Sequence, residues 1–256
     1  MNKKQILPLI LAFMMFVSFA AAVSTVKAAP ENHVFPGLST IHSERIGGPD
    51  YTATVIRYCT DNQGIGSYAA IQPTTVGMEN HGEYWCALVA VNEDSEYIAE
   101  VAVDITWRSQ SPNWRTQVYF IYSDPSIYPQ AQQIPSSTYD MGWSSSPQQP
   151  QVAVYVHSGT PQGTVWDFVV NSYTRATHDY GTAWTQQYVG CSLESYDQPT
   201  DGTSGQTIVT DYQISFKNTA GTWTGTSSAI QTTDTQWDYL VTQSDSGLSH
   251  YFKSAN

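Results

Sequence analysis

The sequence is short of charge, and of positive charge above all. Only 12% of its 256 residues are charged, with 10 Lys and Arg against 22 Asp and Glu, for a formal net charge of −12. So few cations exclude a nucleic-acid-binding surface and attraction to an anionic membrane. After the first 30 residues no helical periodicity of useful length occurs, which excludes a helical bundle or an α/β fold. Cysteine is scarce and odd in number: Cys59, Cys86 and Cys191, with no C-x-x-C pair. The histidines at 33, 42, 81, 157, 178 and 250 form no H-E-x-x-H or H-x-H group, so no metal site is expected. There is no G-x-S-x-G elbow, P-loop or dinucleotide fingerprint, so no serine triad and no cofactor is expected. Cys191 sits in the strand-like Val189-Gly-Cys-Ser-Leu193 and reads as a structural thiol rather than a nucleophile.

The N-terminus reads as a leader. Lys3 and Lys4 precede an apolar run from Ile6 to Ala22, then Val26-Lys27-Ala28 as a cleavage site. The run is short for a membrane anchor, which needs about 20 apolar residues. Residues 1–28 are therefore expected to be a signal peptide, and the mature chain to be secreted, extracellular and free of the membrane. Its removal takes three lysines and no acid, leaving 7 basic residues against 22 acidic. In an oxidising compartment one disulfide and one free thiol are expected; Cys59 with Cys86 closes the shortest loop, and Cys191 is the alternative partner of either.

Tyr, Trp, Val and Thr abound, broken by Gly, Pro, Ser and Asn, and this composition points to an all-β chain. Residues 29–50 read as an irregular N-terminal segment and 51–256 as a single β-sandwich domain of two antiparallel sheets, a jelly-roll or concanavalin-like architecture. Strands are predicted at Tyr51–Cys59, Tyr68–Gln72 (stopped by Pro73), Tyr84–Asn92, Tyr97–Ile105 and Arg115–Tyr122. Further strands follow at Gln151–His157, Val165–Ser172, Trp184–Tyr196, Thr207–Phe216 and Gln236–Gln243. Pro125 to Pro150, rich in Pro, Gln and Ser, reads as a long surface loop rather than a linker between two domains.

Side chains alternate along a strand. Tyr97–Ile105 therefore puts Glu100 and Asp104 on one face and Tyr97, Ala99, Val101, Val103 and Ile105 on the other. In Tyr188–Tyr196, Tyr188, Gly190, Ser192 and Glu194 share a face opposite Val189, Cys191 and Leu193. Carboxyls on interior strands are costly unless solvated or used. If both polar faces line one water-filled groove, Glu100 and Glu194 approach each other, one pKa rises, and the pair holds an acid and a base together. Such a pair suits water attack on a peptide or glycoside; the competing reading is two solvated carboxylates on an outer face. Tyr119, Trp143, Trp166, Tyr173, Trp184, Tyr188, Trp223 and Trp237 offer flat faces for a ligand, although most Trp in a sandwich is core.

Ala69-Ala-Ile-Gln-Pro-Thr-Thr-Val76 followed by Glu83-Tyr-Trp-Cys-Ala-Leu-Val-Ala-Val91, then Ile98-Ala-Glu100, Trp114–Tyr122 and His250-Tyr-Phe252, resembles the glutamic peptidases of concanavalin-like fold, both the fungal acid type and the neprosin type. The resemblance implies a secreted, acid-acting glutamic endopeptidase without cofactor. In it Glu100 positions or activates water, Glu194 shares the proton, and Tyr119, Tyr188, Asp104 and Trp166 contact a polypeptide substrate. The simplest alignment to the fungal pattern sets Gly190 at the second catalytic Glu; a shifted register sets Glu194 there. The alternative is a non-catalytic lectin-like module binding glycan or cell-surface polymer in the same groove.

Overall fold

The computed structural model describes residues 51–59, 63–76, 82–94, 96–128, 131–158, 163–195, 205–226, 229–233 and 241–254. The leader, residues 29–50, Tyr196, Trp237 and most of the strand expected at Gln236–Gln243 lie outside these residues. Among the described residues sixteen strands run in chain order. They are β1 (Tyr51–Tyr58), β2 (Gly64–Pro73), β3 (Glu83–Val91), β4 (Ile98–Trp107), β5 (Trp114–Ser123), β6 (Gln132–Gln133), β7 (Tyr139–Ser144) and β8 (Gln151–Val156). They continue as β9 (Val165–Val170), β10 (Tyr173–Asp179), β11 (Tyr188–Ser195), β12 (Thr207–Asn218), β13 (Trp223–Gly225), β14 (Ala229–Thr233), β15 (Val241–Ser246) and β16 (Ser249–Ser254).

Two antiparallel sheets result. The first has the order β14-β1-β11-β3-β4-β5-β6, with β7 also on β5; the second has β10-β9-β8-β2-β12-β16-β15, with β13 also on β12. Between them Val55, Leu88, Val101, Val103, Phe120, Val154, Trp166, Phe168, Leu193, Phe216 and Phe252 form the core. Ala99, Val101, Val103 and Ile105 of β4 and Val189, Cys191 and Leu193 of β11 all point inward, as strand alternation requires.

Several expectations change. Pro73 ends β2 from inside it, paired with Val209. The loop expected across 125–150 contains β6 and β7, both hydrogen-bonded to β5; it covers the edge that β5 would otherwise expose. The strand β10, YTRATHD, is mostly exposed, and its polarity hid it from a hydrophobic pattern.

The Cys59–Cys86 bridge is not formed, and all three cysteines are buried free thiols. Strand order explains this. β11 lies between β1 and β3, and the row Ala53–Leu193–Cys86 puts Cys59 six residues along from the level of Cys86. Two strand spacings are about 10 Å, beyond the span of a disulfide. Cys59 instead meets Gln186, whose Nε2 donates to the Sγ at 3.3 Å and to the Gly66 carbonyl at 2.9 Å.

Candidate active site

The outer face of the first sheet is not an open furrow. A second apolar cluster of Ile56, Ala87, Val89, Val91, Ile98, Ala102, Ile121, Ala131 and Tyr188, with Tyr58 and Tyr119 against it, lies there. β3 and β4 are thus buried on both faces, and this is why their sequences run apolar almost without interruption. Among these residues stand three carboxylic acids: Glu100, Glu194 and Asp104, only 1%, 1% and 4% exposed.

Sheet register fixes their relation. Reading from β4 through β3 to β11, one row is Glu100–Val89–Gly190, the next on this face is Ala102–Ala87–Ser192, and the third is Asp104–Trp85–Glu194. Glu100 and Glu194 therefore share a face but occupy different rows, and Gly190 is the residue level with Glu100. The middle row is made of small side chains. Ser192 Oγ donates to Glu194 Oε1 at 3.1 Å, which holds the Glu194 carboxyl over that row. The two acids thus stand on either side of the small side chains of Ala87, Ala102 and Ser192.

Electrostatics match this placement. Burial raises the Glu100 pKa well above the usual carboxylic range, and the charge of Glu194 raises it further. Neither carboxyl oxygen of Glu100 has a hydrogen-bond partner among the described residues. Burial pushes Glu194 up to about 8, against the lowering effect of the Ser192 hydroxyl. Asp104 rises to about 7 through burial and the charge of Glu83, while the Thr106 hydroxyl and Arg115 oppose the shift. Clustered buried acids with raised pKa values are a signature of functional sites more than of stable cores.

Tyr188 and Tyr119 lie on the same face as the acids; Tyr188 packs edge-on against Tyr58 at 5.2 Å. Trp166 does not join them. It is fully buried between the sheets on β9, stacked on Trp184 at 4.0 Å, so it is core. His250 and Phe252 also face inward, packed edge to face at 4.6 Å; the His-Tyr-Phe sequence is a packing motif here.

Sequence reading put Ser192 on the face of Glu194 but missed that its hydroxyl aims the carboxyl, and it missed a further buried acid. Asp211 on β12 is fully buried between the sheets, with its pKa raised to about 8 by burial and lowered by the charge of Arg57. Arg57 donates to the Gly247 and Ser249 carbonyls at 3.1 and 3.3 Å. Strand parity alone does reveal both Ser192 and Asp211, but it cannot say which side chains meet. Among the described residues no cluster of His, Cys, Asp and Glu has the arrangement of a metal site.

No protein-family model matches the chain, and no curated protein matches it in sequence. Solved structures do. Scytalido-glutamic peptidase with a peptide-based transition-state analogue aligns at a TM-score of 0.51 and 10% identity, over 80% of this chain and 98% of that one. The same peptidase with a transition-state analogue inhibitor aligns at 0.51 and 9% identity, with the same coverage. SCP-B, a member of the eqolisin family of peptidases in complex with the tripeptide Ala-Ile-His, aligns at 0.48 and 6% identity over the same shares. The first two matches show that the chain has the β-sandwich fold of the glutamic peptidases; its chemistry has to be argued from its own side chains.

Proposed function

We propose that the chain is a glutamic peptidase-like hydrolase that cleaves peptide bonds with Glu100 and Glu194. The observation that carries this reading is the pair of buried acids on one face, separated by the Ala102–Ala87–Ser192 row and sharing one electrostatic environment. Two acids so placed do not ionise together, and a singly protonated pair supplies an acid and a base to the same amide.

The surroundings favour a division of roles opposite to the sequence expectation. Glu194 accepts the Ser192 hydrogen bond, which favours its ionised form; it takes the proton from the attacking water. Glu100 has no such donor and sits under the charge of Glu194, so it keeps its proton and gives it to the leaving nitrogen. Tyr119 and Tyr188 supply apolar surface for substrate side chains, and Asp104 stands in the row of Glu194 beyond Trp85.

The base is lost as pH falls through the pKa of Glu194, about 8. Activity therefore rises with pH through the neutral range, instead of peaking in acid as the resemblance implied. The deciding experiment maps casein and peptide-library cleavage by mass spectrometry from pH 3 to 9 for the wild type and Glu194→Gln. The reading requires cleavage that gains with pH up to neutrality and is lost in the variant. No cleavage by the wild type at any pH, or an equal rate in the variant, ends it.

A further inference from the structure

The outer face of the second sheet carries a different surface. Strand β2 presents Gly66, Tyr68 and Ala70 outward, and β8 presents Ala153 and Tyr155. A residue in place of Gly66 would drive its Cβ to 2.4 Å from the Tyr155 Cβ, so the glycine lets the tyrosine lie across it. Over this floor stands Trp223 of β13, edge to face with Tyr68 at 5.9 Å and with Tyr155 at 6.3 Å. Trp223 is 42% exposed, yet its position is fixed. The turn before it is closed by Asn218, which accepts at its backbone carbonyl from the Gly221 amide and at its side chain from the Thr222 amide.

Two adjoining cavities share Tyr68 and Trp223. One, of about 390 Å³, is also lined by Gln213, Ser215, Thr224 and Leu248. The other, of about 250 Å³, is also lined by Gln151, Tyr155, Val169 and Ser172. Gln213 lies in the left-handed region at φ 57°, where β12 slips register between Tyr212 and Ser215. A bulge in that conformation is costly for a residue with a Cβ, and such bulges re-aim side chains at functional sites. Here it sets an exposed carboxamide at the mouth of the larger cavity.

We propose that this trough binds a neutral polysaccharide, at a site separate from the carboxyls and on the opposite sheet. Flat indole and phenol faces match the C–H faces of pyranose rings. The carboxamides of Gln213 and Gln151 match vicinal hydroxyls, because each offers a donor and an acceptor. Lys217, whose Nζ lies over the Tyr155 ring at 4.8 Å, and Asp167, cross-strand from Tyr155, set one charge of each sign beside the trough, and the chain as a whole is acidic. The balanced local charge and the acidic chain together disfavour uronate or sulfated chains. Two consecutive cavities seat consecutive sugar units of one strand.

The test is affinity electrophoresis of the full chain through gels containing barley β-glucan, arabinoxylan, galactomannan or amylopectin, followed by calorimetry with oligosaccharides of whichever one retards it. The expected result is retardation by at least one of them, with affinity falling about tenfold or more in Trp223→Ala and Tyr68→Ala. Trp223→Phe, which keeps a flat ring, retains part of the binding and guards against a folding defect in the smaller variant. Glu100→Gln binds as the wild type does, which separates this site from the carboxyl groove. Retardation by none of the four, unaltered binding in Trp223→Ala, or binding lost in Glu100→Gln overturns the proposal. Displacement of the sugar by a proline-rich peptide at equal concentration also overturns it, because the trough is then a peptide site.

Discussion

The two outer faces of the sandwich differ in what they hide. On the first sheet, acids are buried among Val89, Ile98 and Ile121 with almost no access to water. On the second, Trp223 and Leu248 stay 42% and 41% exposed while the polar groups around them are wet. The ordinary arrangement of a sheet that faces solvent is reversed on both. Each departure costs stability, the first by desolvating carboxyls and the second by leaving apolar surface in water. Costs of this kind, concentrated at a few positions of an otherwise conventional sandwich, mark places where function outweighs folding.

The largest effect that separates the two faces concerns catalysis. Glu100→Gln is expected to reduce peptide cleavage by about 100-fold or more, whereas Tyr68→Ala leaves the rate within about twofold, since it touches no reacting group. Rates from matched progress curves check this, and equal losses in both variants would erase the distinction between the faces.

The next effect is on stability. Glu194, Asp104 and Asp211 all have folded-state pKa values raised above their ordinary ones, to about 8, 7 and 8. The folded chain therefore binds more protons than the unfolded chain between about pH 4 and 8, and stability falls as pH rises across that window. Thermal melts at pH 4, 6 and 8 should show Tm highest at pH 4. Asp211→Asn should flatten the slope, and a Tm that climbs with pH would show that these acids are not buried as described.

A third prediction tests the packing that joins the sheets. A methyl group at Gly64 would sit 2.5 Å from Gln186 Cγ. Gln186 has no room to yield, because it donates to the Gly66 carbonyl and the Cys59 sulfur and accepts from Ser67 Oγ at 3.2 Å. Gly64→Ala should lower stability by about 1–3 kcal/mol, read from urea unfolding. Trp223→Ala, on an exposed ring, should change it by less than about 0.5 kcal/mol.

The smallest signal is from the thiols. Burial raises all three, Cys59 to about 12. The native chain should leave a disulfide reagent such as dithionitrobenzoate unreacted, and about three thiols per chain should appear on unfolding. Only one appearing would restore a disulfide.

Much of the sandwich was legible because each strand alternates around a buried face. The side of β4 that carries Glu100 and Asp104, and the side of β11 that carries Glu194, follow from parity alone. The same parity, however, suggested a wet groove, because it could not tell that Val89, Ile98 and Ile121 would meet on that outer face. The choice of flat aromatic side chains also put Trp166 at the ligand, since a tryptophan beside an aspartate in Val165-Trp-Asp-Phe168 looks the same whether its strand faces in or out. β10 and β13 were invisible, being short or polar and held by their neighbours' hydrogen bonds instead of by a pattern of their own.

By itself the sequence determined the all-β class, the inward and outward set of each long strand, and the poverty of cations. The order β1-β11-β3-β4 was decided only in three dimensions, since strand pairing joins residues a hundred positions apart, and local chemistry has no means of choosing among such partners. That order kept Cys59 from Cys86 and set Gly190 level with Glu100. It also brought Tyr68, Tyr155 and Trp223, separated by long stretches of chain, into one trough.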